Sequence, residues 1–254
     1  YRKHQNANGT LESGDDADIF YVASETVYKD EQGQQPITTT FARTYHSIGG
    51  YSTGRTKLLT TTLPTVNEPQ HGDGVVVVTR KLFDSQGRLS WEQDEDGYLH
   101  HTEYNDATGN AALMITDVDP AVTPIPVGWP APPSAVSHRH LVTTIVEQDG
   151  LGRTLRMTDA KGNESRWVYN DAAHEVRMYP GVYQDAGGTW QTTGPISILR
   201  EYRPMAGAAT EDERIAYNES LTIGVSPVVS GAGVFLGTEP VTAGASGTIQ
   251  TLSR

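Results

Sequence analysis

Residues 84–106 can be laid on residues 149–171 at a shift of 65 without a gap, and this internal repeat confines the chain to architectures built from small, serially repeated units. Eight of the 23 positions are identical: Asp84/Asp149, Gly87/Gly152, Arg88/Arg153, Asp94/Asp159, Gly97/Gly162, Tyr104/Tyr169, Asn105/Asn170 and Asp106/Asp171. Chance at average residue usage gives roughly one or two. A shorter period sits inside each copy, because Asp84 and Asn105 are 21 residues apart and so are Asp149 and Asn170. Since 65 is about three such periods, the copies are expected in phase. A period near twenty that contains an aromatic residue, a turn and Gly-Arg suits stacked β-hairpins, each too small to bury its apolar face until a neighbour covers it.

Residue type then assigns structural roles. Gly87 and Gly97 permit turn backbones, and the Asp84 side chain accepts backbone N–H groups two residues on. Trp91, Tyr98 and Tyr104 are expected to pack across strands. Arg88 is expected to pair with an acidic residue of an adjacent hairpin, worth about 0–1 kcal/mol on an exposed surface. Strand-sized stretches of period-two or β-branched residues recur at 18–22, 37–45, 57–63, 75–82, 98–104, 141–147, 164–169 and 196–202. Between them stand turn signals at 31–33, 72–74, 85–87, 96–97 and 161–162. The one helical candidate, 210–217 (TEDERIAY), is too short to be stable alone. The expectation is an all-β fold of stacked antiparallel β-hairpins in a curved or spiral sheet, with loop insertions.

Four segments are expected. Residues 1–116 form hairpins ending in the first repeat copy. Residues 117–138 hold Pro120, Pro124, Pro126, Pro130, Pro132 and Pro133, which remove ladder donors and mark a loop or insertion. Residues 139–203 carry the second copy. Residues 204–254, rich in Gly, Ala, Ser and Thr, read as a small β unit or tail.

The stretches LFDSQGRLSWEQDEDGYLHHTEYNDATGN and VEQDGLGRTLRMTDAKGNESRWVYNDAAHEVRMYPG resemble RHS or YD repeats, whose pattern is an aromatic-Asp pair, two residues, Gly-Arg, a spacer, Gly and a returning Tyr-Asp. The clear resemblance covers residues 75–116 and 140–180, about a third of the chain, with a looser echo in YSTGR at 51–55. Phe83 and Gln148 stand where Tyr is usual, and Asn105 and Asn170 where Asp is usual. The resemblance implies a bacterial, exported protein, extracellular or at the cell surface, whose spiral β-sheet shell encloses a toxic or enzymatic C-terminal polypeptide or mediates surface contact. The implied partners are flanking repeats of the same polypeptide, an encapsulated C-terminal domain or a cell-surface glycan. No Asp-Pro-x-x-Gly boundary, of the kind that precedes a released C-terminal domain, occurs here.

Charge narrows the partners further. A net charge of −12 repels a phosphate backbone and anionic headgroups, so neither nucleic acid nor membrane insertion is expected. No apolar run approaches the roughly 18 residues that cross a bilayer. The absence of cysteine excludes disulfides and thiolate chemistry. The opening residues lack the apolar stretch of a signal peptide, so any export signal is expected elsewhere in a larger polypeptide.

Candidate chemistry is sparse. GYSTG at 50–54 matches the nucleophile-elbow pattern around Ser52, but the motif needs a following helix and Thr-rich β sequence follows. Asp94-Glu95-Asp96-Gly97 lacks the alternation and closing Glu of a helical calcium loop. His100 and His101 face opposite sides of a strand, whereas His138 and His140 share a face but have no evident third ligand. Asn-x-Ser/Thr triplets at Asn8, Asn163 and Asn218 matter only in a glycosylating host. The expectation is a scaffold rather than an enzyme, without cofactor or metal. The alternatives are a carbohydrate-binding module using Trp129, Trp167 and Trp190, and a polysaccharide-degrading enzyme with two facing carboxylates, one of perturbed titration.

Overall fold

The computed structural model describes residues 2–3, 20–28, 36–66, 74–133, 137–202, 217–243 and 247–253. They form β1 (Arg2–Lys3), β2 (Phe20–Tyr21), β3 (Ser24–Tyr28), β4 (Pro36–Ile48), β5 (Tyr51–Thr62), β6 (Val78–Phe83), β7 (Leu89–Gln93), β8 (Leu99–Tyr104) and β9 (Ala111–Thr116). There follow β10 (Leu141–Gln148), β11 (Thr154–Thr158), β12 (Glu164–Asn170), β13 (Glu175–Gln184), β14 (Trp190–Thr192), β15 (Ile196–Tyr202), β16 (Tyr217–Ile223) and β17 (Ile249–Ser253). A single 3-10 turn, Asp171–Ala173, is the one helical element among the described residues. Apart from the β1–β2 pair, fifteen strands make one antiparallel sheet that is not closed. They stand in chain order from β3 to β17, with β14 set aside on β13. The protein is therefore all-β, a succession of hairpins.

The period-two stretches coincide with β4, β5, β6, β8, β10, β12 and β15. Strands β7 (LSWEQ) and β11 (TLRMT) fall outside the expected stretches; each is five residues long and lies between two tight turns. The expected turn at 31–33 and helix residues 210–216 lie outside the described residues, as does Asn8, while Tyr217 opens β16. Alternate hairpin turns begin at Asp84, Asn105, Asp149 and Asn170, at spacings of 21, 44 and 21 residues. The two copies are thus two turn intervals apart, not three. The second interval is lengthened by the connection between β9 and β10, whose prolines have no N–H to give a ladder.

Contact density divides the chain into two compact units, Tyr1–Glu103 with Met114–Leu141, and Tyr104–Leu113 with Val142–Arg254. In the first, Thr39, Phe41, Arg43 and Tyr45 of β4 alternate with exposed residues, and the Arg43 guanidinium lies 5.0 Å from the Tyr21 ring centroid. Trp91 stacks on His101, its cross-strand partner, with centroids 4.2 Å apart. Leu99 and Val118 are fully buried.

The core of the second unit is made by Tyr179 and Val182 of β13, Ile196 and Ile198 of β15, and Leu221 and Ile223 of β16. The segment after β16 covers them with Phe235, flanked by Val225, Val229 and Val241. Period two places charged residues beside this core, and they persist because each is paired. Arg177 Nε donates to Glu175 at 2.6 Å and Arg200 Nε to the other oxygen of Glu175 at 2.6 Å. Arg177 also reaches Glu239, which is fully buried, at 2.8 Å. Burial raises the Glu175 carboxyl, but the two guanidinium groups outweigh it and hold the carboxyl below its usual range.

Candidate functional site

One turn is written several times. At Asp84, Asp94, Asp149 and Asp159 the backbone N–H donates to the carbonyl four residues on, and the N–H of Gly87, Gly97, Gly152 and Gly162 donates back to the Asp carbonyl, all at 2.9–3.2 Å. Each Asp Oδ1 accepts the N–H four residues on at 2.8–2.9 Å. Asp84, Asp149 and Asp159 also accept the N–H two residues on. The glycines sit at φ +78° to +87°, where a side chain is strained. A fifth copy at Asp185–Gly188 has the same bonds, and the sequence repeat does not reveal it because Thr189 follows the glycine where Arg is usual and Gln184 precedes the Asp where an aromatic is usual. The spacing Asp-x-x-Gly by itself is the signal that finds it.

The arginines close the turns. Arg88 Nε donates to Asp84 at 2.7 Å and Arg153 Nε to Asp149 at 2.6 Å, each within its own turn. Arg153 also holds Asp171, at the next alternate turn, and its guanidinium lies 4.3 Å from the Tyr169 ring centroid. Arg153 thus makes a bond to an adjacent hairpin of the kind expected of Arg88, and both arginines are held by the Asp of their own turn. Bonds to Asp171 and then Asp149 raise the Arg153 titration further. At Asp84, partial burial raises the carboxyl, and the Arg88 backbone and side-chain bonds more than reverse it. Asp149 likewise ends below its usual range, desolvation being outweighed by Arg153 and backbone N–H groups.

Asn105 accepts the N–H groups of Ala107 and Thr108, and Asn170 that of Ala173, so Asn caps these two turns where Asp caps the others. Tyr104 ends β8 and is half-buried, as is Tyr169 beneath Arg153. Asn110 Nδ2 donates to the Gly152 carbonyl at 2.7 Å and Thr108 Oγ1 to Gln148 at 2.6 Å, stapling the Asn105 turn to the Asp149 turn.

The other candidates have internal duties. Ser52 lies at the start of β5, with strand and not helix after it. His100 Nε2 is 3.2 Å from Asp94 Oδ2, so that carboxylate caps a turn and holds a histidine. His138 Nδ1 is 2.7 Å from Asp117 Oδ1, the Arg139 N–H donates to Asp117 Oδ2, and His140 Nδ1 accepts the Asp119 N–H. These bonds close the neck of the β9–β10 connection. No group of three metal-ligating side chains occurs among the described residues.

Of the three tryptophans singled out, Trp129 lies in the β9–β10 connection, whereas Trp167 and Trp190 border one open groove of about 750 Å³ in the second unit. Arg153, Arg156, Arg166, Glu147 and Phe235 line it as well. Arg166 bonds Glu164 at 2.6 Å and lies 5.1 and 4.8 Å from the ring centroids of Trp190 and Phe235. Arg156 is held more loosely, Nε 3.7 Å from Glu147 and a terminal nitrogen 3.5 Å from Glu164.

No family model and no curated protein matches the chain. Solved structures with a similar course of the chain include TcdB2-TccC3-TEV, with TM-score 0.38 and 14% identity over 90% of this chain, and the Photorhabdus luminescens Tc holotoxin pore, with TM-score 0.35 and 10% identity over 84%. TcdB2-TccC3-Cdc42 aligns over 80% at TM-score 0.33 and 10% identity. The chain spans 12% of the length of each of these chains.

Proposed function

We propose that this chain is a structural segment of a larger exported protein of the RHS/YD-repeat type, a β-sheet scaffold for encapsulation, display or cell-surface contact. The observation that carries this reading is the recurrence of one Asp-capped, Gly-closed turn along consecutive hairpins, with neighbouring turns stapled by Asn110–Gly152 and Arg153–Asp171. Such a ladder is stabilised by its neighbours in series, which suits extension by further repeats. Its partners in this reading are flanking repeats of the same polypeptide, and a C-terminal domain or surface glycan.

Catalysis has less support. Among the described residues the carboxyls with displaced titration, Asp84, Asp117, Asp149, Asp159, Asp171, Asp185 and Glu175, are all held low, opposite to what a general acid requires. Cryo-electron microscopy of the natural polypeptide that carries this chain tests the scaffold. The expected map shows the Gly87-Arg88 and Gly152-Arg153 hairpins in one sheet continued by flanking repeats around a lumen. Two separately closed sandwiches, or glycan cleavage by the purified polypeptide, would overturn the reading.

A further inference from the structure

In the first unit an open pocket of about 490 Å³ lies between the β4–β5 hairpin and the Asp84 turn, lined by Arg43, Arg55, Thr56, Leu59, Phe83 and Gln86. Strand register puts Arg43, Thr56, Leu59 and Phe83 on one face of the sheet. Arg43 pairs with Leu59 and Tyr45 with Thr56, Leu59 pairs with Lys81, and Phe83 stands two residues beyond Lys81. Arg55 reaches the pocket from the end of the hairpin, where its guanidinium donates to the Ser85 carbonyl at 2.8 Å.

The charge of this pocket is uncompensated. Arg153, Arg156, Arg166, Arg177 and Arg200, which line the grooves of the second unit, each have a carboxylate at 2.6–3.5 Å. Among the described residues no carboxylate comes within ion-pair distance of Arg43 or Arg55. Arg43 is fixed instead by the Val22 carbonyl at 2.9 Å and by the Tyr21 ring, and Arg55 by Ser85. Asp84, which follows Phe83, is spent on Arg88 and on the N–H groups of its own turn. Lys81, on the same face, is held by Glu92 at 3.0 Å. Each of the two guanidinium groups keeps further N–H donors, and no unbonded nitrogen of Arg43 is shut off from solvent. In a chain of net charge −12, two cations are thus held in place without an acid to balance them.

We infer that this pocket binds a phosphate monoester carried on an apolar body, with Arg43 and Arg55 on the phosphate and Leu59 and Phe83 against the body. The class of ligand follows from charge and size. Two unopposed guanidinium groups match a phosphate monoester, which carries about −1.5 to −2 at neutral pH, whereas a carboxylate leaves one of them unmatched. Guanidinium forks also hold phosphate oxygens through paired N–H bonds. The pocket is larger than a phosphate group, and its apolar wall of Leu59 and Phe83 suits a ring or short chain in the remaining space. The overall negative field repels a long polyanion but is screened beyond about 8 Å at physiological ionic strength, so the two arginines decide at contact range. Binding at this pocket does not depend on whether the sheet is a shell.

The test is titration of the full chain, in buffer free of phosphate, with phenyl phosphate, benzoate and phenol, followed by calorimetry and by saturation-transfer NMR on the ring protons. Phenyl phosphate is expected to saturate with Kd on the order of 1 mM, benzoate to bind about fivefold or more weakly, and phenol not to saturate. Inorganic phosphate is expected to displace phenyl phosphate at several-fold higher concentration, since it lacks the apolar body. Arg43→Gln and Arg55→Gln are each expected to weaken phenyl phosphate binding about tenfold, with near-ultraviolet circular dichroism retained. Arg139→Gln, which removes an equal charge outside the pocket, should leave it unchanged. Should Arg43→Gln fail to fold, Arg55→Gln alone decides. The inference is overturned if phenyl phosphate does not saturate, if benzoate or phenol binds as tightly, if inorganic phosphate does not compete, or if Arg55→Gln weakens binding no more than Arg139→Gln.

Discussion

The phenolic hydroxyl of Tyr179 donates to Glu239 Oε2 at 2.9 Å, and the same oxygen receives Arg177 at 2.8 Å, so one fully buried carboxylate ties the segment after β16 to the middle of the sheet. Desolvation first, and then the Glu239 charge, push the Tyr179 hydroxyl well above its usual range, so it remains a donor at any physiological pH. Glu239 Oε1 meanwhile accepts the Val228 N–H at 2.8 Å.

Removing this carboxylate strands Arg177 and Tyr179. Glu239→Ala is expected to destabilise the fold by about 3–5 kcal/mol in urea denaturation, because Arg177 loses one of its two carboxylate partners inside the protein. Glu239→Gln keeps an acceptor and is expected to cost less. An Arg177→Met, Glu239→Leu pair that is less stable than Glu239→Ala alone would show that the ion pair itself, and not the relief of unpaired charge, dominates.

Gly152 and Gly87 occupy the same turn position but differ in surroundings. A Cβ at Gly87 meets nothing within 4 Å, so Gly87→Ala carries only the left-handed strain, about 1–2 kcal/mol. At Gly152 a Cβ would lie 2.1 Å from Asn110 Nδ2 and force out the bond that Asn110 makes to the Gly152 carbonyl. Gly152→Ala is expected to cost a further ~1–3 kcal/mol. A double-mutant cycle with Asn110→Ala checks the cause, since the extra cost should shrink once Asn110 is gone. Equal costs at the two glycines would refute the staple.

Acid should loosen the turns. The carboxyls of Asp84, Asp149, Asp159 and Asp185 titrate below their unfolded values. The Arg88 and Arg153 bonds outweigh desolvation at the first two, the Asn163 side chain leads at the third, and the Thr189 N–H leads at the fourth. A depressed carboxyl adds stability above its unfolded value, about 3.9, and loses it as pH falls through the folded value. The urea midpoint is expected to be level from about pH 7 to 5 on account of these groups and to fall below about pH 4. Asp149→Asn with Asp159→Asn should flatten that fall; an unchanged slope would place the acid sensitivity elsewhere.

Asp117 holds the neck of the β9–β10 connection. Its carboxyl, raised by burial, is brought below its usual range by the Arg139 N–H and by His138, and its own carbonyl accepts the His140 N–H at 2.9 Å. Asp117→Ala leaves the Arg139 donor and His138 without their acceptor and is expected to cost roughly 1–3 kcal/mol. Limited proteolysis should show cleavage within residues 118–139 at least several-fold faster, with the β strands still protected. Cleavage at the wild-type rate would mean that the prolines alone stiffen the connection.

Much of the ladder is legible in the sequence. Alternation in β4 and β5 and the paired Gly-Arg signatures are local, and a turn that needs positive φ and a side-chain cap can be satisfied in few ways. The fifth Asp-x-x-Gly turn is equally local, but it stands outside the richer Gly-Arg and Tyr pattern that marks the others. The phase of the copies is hidden for a different reason. Spacing along the chain does not distinguish a third hairpin from one long connection, and the prolines between β9 and β10 make it a connection.

The hairpin is a local object: strand, Asp-capped turn and returning strand are each specified within about twenty residues, and the sequence suffices to define them. Which side chains meet across large separations in the chain is a property of the folded sheet alone. Glu239 meets Arg177 62 residues away, Asn110 meets Gly152 42 residues away, and Arg156 is left between two carboxylates at the edge of a groove. Local periodicity assigns a face to each residue, but it carries no information on which distant segment will cover that face. The charge pairs and the groove are consequences of that covering.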